Sequence, residues 1–509
     1  MTREPADKPD VPPRGSPRGK DRSVDVVNGR LFKPMMILAA PIVAGQMLQV
    51  GYNLADTYWV GRLGGDPVAA LSYSWAIIFL MVAVGGGLTV AGTVMVAQYK
   101  GAEDFRTTDH VAGQTISFVT LVAAVFAAIG FILTPYLISL VGATPGTPPY
   151  QMAVNYTRII FLGVAFMFWF FIFDALSRGW GDTRTPLYLM AISVTINVII
   201  DPFLILGFHD NPLFVWIGYE GLEASLYAAT GFEGYGVEGA AVATLISRGI
   251  AAIAGLYLLF NGQVGLQPQL SDLYLNTDTV WSIIDIGAPI AVEQGARALG
   301  LAILTAIIAI AGDDAVAAYG IVNRLSTLLF LPALGLSRGI ETVVGQNLGA
   351  RQIDRAKRSV YLGGGVITFI FVVVIAAAYP NAESIVGFFL ATGAGGTVPV
   401  GDVIRIGALY IWIAGPAYIF LGVFQVTLGA IRGSGSTRAA MMLSVQELWF
   451  WRLPLAFILL VIVGMDITGV WYAVAISYVA AAIITIAWFM RGTWTDSIVD
   501  HTRYQSADD

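Results

Sequence analysis

The sequence predicts an all-α polytopic membrane protein: twelve transmembrane helices in two six-helix lobes, related by a pseudo-twofold axis along the membrane normal. Three observations predict it. Of 509 residues, 56% are hydrophobic and 12% charged, with a mean hydropathy of +0.72, whereas soluble domains run about 25% charged. From Pro34 onward, apolar runs of about 20 to 30 residues alternate with short polar breaks, each run long enough at ~1.5 Å per residue to cross a hydrocarbon core of ~30 Å. The chain also repeats itself. Ala40-Pro41-Ile42 matches Ala288-Pro289-Ile290, Gly64 matches Gly312, Asp66-Pro67-Val68-Ala69-Ala70 matches Asp314-Ala315-Val316-Ala317-Ala318, and Gln98 to Ala102 matches Gln346 to Ala350. The separation is 248 positions throughout (41 to 289, 98 to 346), and it shifts to 254 where Arg178 to Arg184 matches Arg432 to Arg438. Six spans per half is an even number, so the halves share one orientation.

Residues 1–33 are rich in Pro, Asp, Arg and Lys and lack the apolar stretch of a signal peptide, so a disordered cytoplasmic tail is expected. The expected spans run 34–58, 67–92, 111–140, 152–177, 186–207 and 236–260 in an N-terminal lobe of residues 34–261. Residues 262–278, with Gly262, Gly265 and Pro268, read as a cytoplasmic linker. The C-terminal lobe, residues 279–491, holds spans 279–310, 315–344, 359–379, 403–431, 439–464 and 469–490, and residues 492–509 form a cytoplasmic tail. One set of breaks collects Lys100, Arg106, Arg178, Arg184, Arg351, Arg355, Lys357, Arg358, Arg432 and Arg438. The other holds Arg62 and few further bases, and its long segment 208–235 carries Asp210, Glu220, Glu223 and Glu233. This bias places both termini in the cytoplasm of a cell-membrane protein.

Several classes are excluded. A net charge of −6 argues against nucleic-acid binding, and the absence of cysteine removes disulfides, thiol catalysis and thiolate metal sites. His110, His209 and His501 stand singly in expected loops or the tail, which supports neither a catalytic nor a metal centre. There is no Gly-rich GxxxxGK[ST] loop for an ATP-driven pump and no nucleophile–base constellation, so neither an enzyme nor a resident cofactor is expected.

What stands out is Thr195 to Pro202, where Asn197 and Asp201 share a helix face inside an apolar span. A carboxylate at that depth costs about 2.5 kcal/mol or more on insertion scales and persists where it faces a cavity, binds a cation or carries a proton. By helix rise, Asp56 reaches the same outer half of the membrane. Two carboxylates meeting in a low-dielectric site cannot both stay ionised, which suits a proton carrier, and the same oxygens suit Na⁺. Neither acid has a base within four positions. The other buried charges read as intrahelical pairs: Asp174 with Arg178, Glu293 with Arg297, Arg338 with Glu341. Glu447 lies five from Arg452, a poor helical spacing, and has no assigned role. Gln98 and Gln346 read as braces of helix ends. Most of the aromatics, including Phe166 to Phe173 and Trp449 and Trp451, fit lipid-facing packing, and a minority lining the cleft would suit flat organic cations.

Taken together, Pro41 with Gln49, Tyr52 and Asp56, Ala69 to Ser72, Ala97 to Ala102, Arg178 to Asp182, Asn197 to Pro202 and Gly236 to Thr244 resemble the multidrug and toxic compound extrusion (MATE) family, in its prokaryotic DinF-like branch. The resemblance covers nearly everything between the tails. It implies a monomeric secondary antiporter in the bilayer that exports small organic cations and drugs in exchange for H⁺ or Na⁺ by rocking two lobes. Asp56, Asp201, Asn197, Thr244 and the backbone of Ala240 match the family's coupling site, Asp56, Asn197, Asp201 and Thr244 being the oxygens for Na⁺. Gln49, Tyr52, Asn53 and Asp174 match its substrate cavity. The segment between the fifth and sixth spans is longer than its counterpart in the second half. A flippase for lipid-linked sugars is the competing reading, and it calls for basic residues in the cavity.

Overall fold

The computed structural model describes residues 22–391, 400–495 and 498–499. The N-terminal half comprises α1 (Phe32–Gly61), α2 (Gly65–Gly101), α3 (Phe105–Leu140), α4 (Pro148–Leu162), α5 (Val164–Trp180), α6 (Arg184–Leu206), the short α7 (Pro212–Ile217) and α8 (Glu220–Thr230), and α9 (Val237–Phe260). The C-terminal half comprises α10 (Thr277–Ala309), α11 (Asp313–Gly349), α12 (Ile353–Ala378), α13 (Ala382–Ala391), α14 (Val400–Ala414), α15 (Tyr418–Gly433), α16 (Thr437–Gln446), α17 (Leu453–Phe457) and α18 (Ile467–Met490). Among the described residues eleven helices are long and apolar enough to cross a membrane, and the bent pair α4 and α5 makes twelve.

The breaks follow from local chemistry. Gly64 and Gly312, related by the repeat, take φ of 118° and 114°, a region closed to side chains, and so separate α1 from α2 and α10 from α11. Asp104 accepts the Thr107 N–H at 3.1 Å to start α3, and Asn276 caps α10 through the N–H groups of Asp278 and Thr279. The fourth span, expected to be one run, bends by 52° at Gly163, where a Cβ would lie 2.2 Å from Leu245 of α9. The long segment 208–235 folds into α7 and α8, and Asn211 pins it by donating to the Pro202 and Gly207 carbonyls at 2.9 and 2.8 Å.

Each half buries its own apolar core, and the starting segments of the first helices are exchanged between them, while Trp59 and Val60 of α1 and Leu304, Ile307 and Ile308 of α10 stay with their own halves. Met35 and Ala39 of α1 lie in the second core, while Ile283 and Ile286 of α10 lie in the first. The seam is twofold-symmetric and glycine-lined. A Cβ on Gly101 would sit 1.9 Å from the Gln346 carbonyl oxygen, and one on Gly349 would sit 1.9 Å from that of Gln98. Gly87 meets Ala291, and its repeat mate Gly335 meets Val43. Gln98 and Gln346 brace more than helix ends: Gln98 donates to the Gly433 carbonyl at 3.1 Å and Gln346 to that of Gly179 at 2.9 Å, tying lobe to lobe at the end where Val24 and Ile498 lie.

Of the expected tail through Lys33, residues 22–31 lie against both lobes, and residues 1–21 lie outside the described residues. Val24 N–H bonds the Gly181 carbonyl at 3.0 Å on one lobe. On the other, Arg355 donates to the carbonyls of Val26, Asn28 and Gly29, and Val26 is buried against Leu38 and Val343. A polar composition concealed one apolar anchor with backbone partners on both lobes. His110, expected in a loop, belongs to α3, with Nδ1 3.4 Å from Asp272 of the 262–278 segment; His501 lies outside the described residues.

Candidate functional site

Gln49, Tyr52, Asn53 and Asp56 recur at steps of three and four, so α1 turns them to one side. Asn197 and Asp201 do the same on α6, as do Ala240 and Thr244 on α9. Close packing of α6 on α9 brings these faces together, because Gly239 lets the Leu204 carbonyl approach to where a Cβ would be 2.1 Å away. Asn197 Nδ2 donates to Asp201 Oδ1 at 3.0 Å, and Asp56 is an electrostatic neighbour of both. Tyr52 donates to Thr244 Oγ1 at 2.7 Å, which links Thr244 to the acids through α1. Ala240 is fully buried one turn before it. Asp56, Asn197 and Asp201 are 4%, 0% and 0% exposed. Asp56 Oδ1, Asn197 Oδ1 and Asp201 Oδ2 are buried acceptors without a donor. Orphaned oxygens of this kind are costly, and a proton or a hard alkali cation satisfies them.

Gln49 donates to Asn53 Oδ1 at 2.9 Å, beside the acids. Asp174 is not grouped with them. It pairs with Arg178, as its spacing implies, in a charged layer near Arg338, Glu341 and Arg432. Glu293 pairs with Arg432 of α15 rather than with Arg297, whose guanidinium lies over the Phe330 ring at 5.1 Å. Arg338 and Glu341 are not an isolated pair, since Arg338 shares its surroundings with Arg178, Arg432 and Asp174.

Two features escaped the sequence reading. Residues Glu447–Arg452 form a wider π-helical turn, which aligns positions five apart, and Glu447 forms a buried ion pair with Arg452. Arg452 Nε also donates to Ser477 at 3.1 Å, and the guanidinium stacks on Tyr478 at 4.5 Å. The second is Arg248, one turn beyond Thr244 and 5% exposed, which gives Asp56 a cationic neighbour that its own helix does not supply. Its signal was present: an arginine inside an apolar span with no acid within four positions.

Two helical lobes meeting at a symmetric seam, the first holding two buried acids, Asp56 and Asp201, that have no ion pair among the described residues, define a membrane transporter rather than an enzyme. The MatE family model matches residues 41–203 and again 289–458, one match in each half of the repeat. The chain belongs to the MatE family. It is 26% identical over 468 residues to the "Probable multidrug resistance protein YoeA" of Bacillus subtilis (strain 168), covering 91% of this chain and 94% of that protein. It is 25% identical over 476 residues to the "Probable multidrug resistance protein NorM" of Thermotoga maritima, covering 91% and 93%. Its fold is similar, with a TM-score of 0.80 at 22% identity over 92% of this chain and 98% of the other, to the outward-facing conformation of a multidrug resistance MATE family transporter of the MOP superfamily. It is a multi-pass multidrug-efflux-type transporter.

Proposed function

We propose that the chain is a secondary antiporter that exports small organic cations and drugs in exchange for H⁺ or Na⁺ by alternating access of its two lobes. The observation that carries this reading is the set of three orphaned, buried oxygens on Asp56, Asn197 and Asp201. Asp56 and Asp201 bind the coupling ion, Asn197 orients Asp201, and Thr244, held by Tyr52, closes the set together with Ala240. Gln49, Tyr52 and Asn53 face substrate. Asp174 belongs to the charged layer at the seam. Because the basic segments flank the end where the lobes are tied, that end is cytoplasmic and the state is outward-facing. The protein acts as a monomer in the cell membrane. Ion binding shifts the lobes only by its differential affinity for the two states, which a change of charge at the acids supplies.

A lipid-linked-sugar flippase is disfavoured by the pairing of the buried bases. Arg178, Arg432 and Arg452 each sit on a carboxylate, and Arg338 shares its layer with Asp174 and Glu341, so the buried bases there are matched by acids rather than left as a basic cluster. The test is purified protein in liposomes, with dye flux followed under an imposed pH gradient and, separately, a Na⁺ gradient. Flux driven by neither gradient overturns the reading.

A further inference from the structure

We infer that Arg248 is a tethered cation that limits the N-terminal site to one monovalent coupling ion per transport cycle. This rests on the reading of Asp56 and Asp201 as the coupling acids. The Arg248 guanidinium donates to Gln49 Oε1, lies 3.0 Å from Met190 Sδ, and stacks over the rings of Tyr52 and Phe170 at 5.0 and 5.2 Å. None of these contacts carries negative charge. The buried arginines Arg178, Arg432 and Arg452, by contrast, each touch a carboxylate. A guanidinium buried without a counter-charge is strongly disfavoured. The acid nearest to it in charge is Asp56, one turn of α1 beyond the Tyr52 ring that Arg248 covers, and Asp56 is in turn an electrostatic neighbour of Asp201. The other titratable groups facing this pocket are Tyr52 of α1 and Tyr156 of α4, phenols that are neutral near pH 7.

Charge counting then decides. Two carboxylates and one guanidinium leave the site at −1. One H⁺ or one Na⁺ on the orphaned oxygens brings it to neutrality. A second would leave an uncompensated positive charge among apolar side chains. Two carboxylates alone leave room for two ions, so Arg248 halves the capacity.

The second lobe applies the same rule to a different total. With Gly469-Val470 set against Gly236-Val237, Ser477 falls on Thr244, both pairs 233 positions apart. The acid beside Ser477 is Glu447, and Arg452 is bonded to it. One carboxylate and one guanidinium sum to zero, so no mobile cation is called for there. A tethered guanidinium fills the C-terminal counterpart completely and the N-terminal site by half.

The test uses the full chain in liposomes, with ethidium as the transported probe and the membrane potential clamped by K⁺ and valinomycin. At each potential, the pH or Na⁺ gradient that nulls ethidium flux gives the number of coupling ions per ethidium. The expected ratio is one for the native protein and for Arg248→Lys, which keeps the charge, and two for Arg248→Gln. A native ratio of two, or a ratio of one retained by Arg248→Gln, overturns the inference while leaving antiport intact. The native ratio decides even where Arg248→Gln fails to fold. Ethidium flux indifferent to both gradients in the native protein overturns the antiport reading and this inference with it.

Discussion

Replacing both Gly101 and Gly349 with alanine tests whether the glycine seam holds the lobes closed. Each added Cβ would lie 1.9 Å from a backbone carbonyl oxygen of the other lobe, against 3.4 Å for ordinary contact, so the helices must part by roughly 1.5 Å. No flexible side chain can give way, because both clashes are with backbone. Neither glycine has positive φ, so alanine suits the helix itself, by ~0.5–1 kcal/mol over glycine, and each lobe should fold normally. The cost falls on the seam. A shift of that size breaks the Gln98–Gly433 and Gln346–Gly179 hydrogen bonds, now 3.1 and 2.9 Å. At ~0.5–1.5 kcal/mol each, their loss totals ~1–3 kcal/mol, a shift of about 5- to 150-fold toward the state open at this end.

The natural chain contains no cysteine, so paired spin labels can be introduced without a preparatory cysteine-free variant. Glu103→Cys with Arg351→Cys, exposed repeat mates just beyond the two glycines, reports the separation across the seam. The expected result is a second, longer distance population in the alanine double variant, with slowed export. An unchanged distance distribution would refute the assignment of closure to these contacts.

The remaining predictions concern charge. Asp56→Asn and Asp201→Asn should each abolish gradient-coupled export at near-native expression, and full transport by either would remove the carboxylates from the mechanism. Arg452→Met alone should destabilise by about 3–5 kcal/mol, because Glu447 is left buried and unpaired, while Glu447→Gln with Arg452→Met should recover most of the loss; thermal unfolding in detergent reads both. Glu293→Gln combined with Arg432→Gln should retain substantial coupled transport, since that pair is neutral, and its loss would move coupling to the second lobe. Burial alone would raise the Asp272 carboxyl, but the Arg106 guanidinium, the Gln269 N–H and His110 outweigh it and hold it below its ordinary value. Its stabilising contribution is therefore present above about pH 4 and is lost as pH falls through the lower folded value. Melting curves between pH 6 and 3 should show a steeper loss than in Asp272→Asn.

Spans and repeat were legible because both rest on local patterning. Hydrophobic runs reveal helices that must cross an apolar slab, and the 248-position register survives in glycines the seam requires. The site was legible in part: Asn197 and Asp201 announce themselves by spacing. The rest failed where long-range geometry overrides helical periodicity. Helical spacing leaves Glu447 without a role because five residues do not align on an α-helix, and the π-helical turn changes that rule. Glu293 found a base 139 positions away rather than four. The bend at Gly163 depends on Leu245 pressing in from another helix.

The contrast between a symmetric seam and asymmetric charge says which element must connect them. Closure is built twice, from Gly101 and Gly349 and from Gln98 and Gln346, so it can open only by a movement that acts on both lobes. Asp56 and Asp201, carboxylates with unpartnered oxygens and no ion pair among the described residues, stand in the first lobe, while the second lobe's Glu293 and Glu447 are already neutralised by Arg432 and Arg452. The signal therefore has to leave the N-terminal site along a helix that also belongs to the other half. Helix α1 meets that requirement: Met35 and Ala39 are seated in the second core, and Tyr52 and Asp56 stand in the site. Pro41 lies between these two groups, where it removes a backbone hydrogen bond and leaves a point of weakness in the helix. A change of charge at Asp56 thus acts on the outer segment of a helix whose inner segment is held by the opposite lobe.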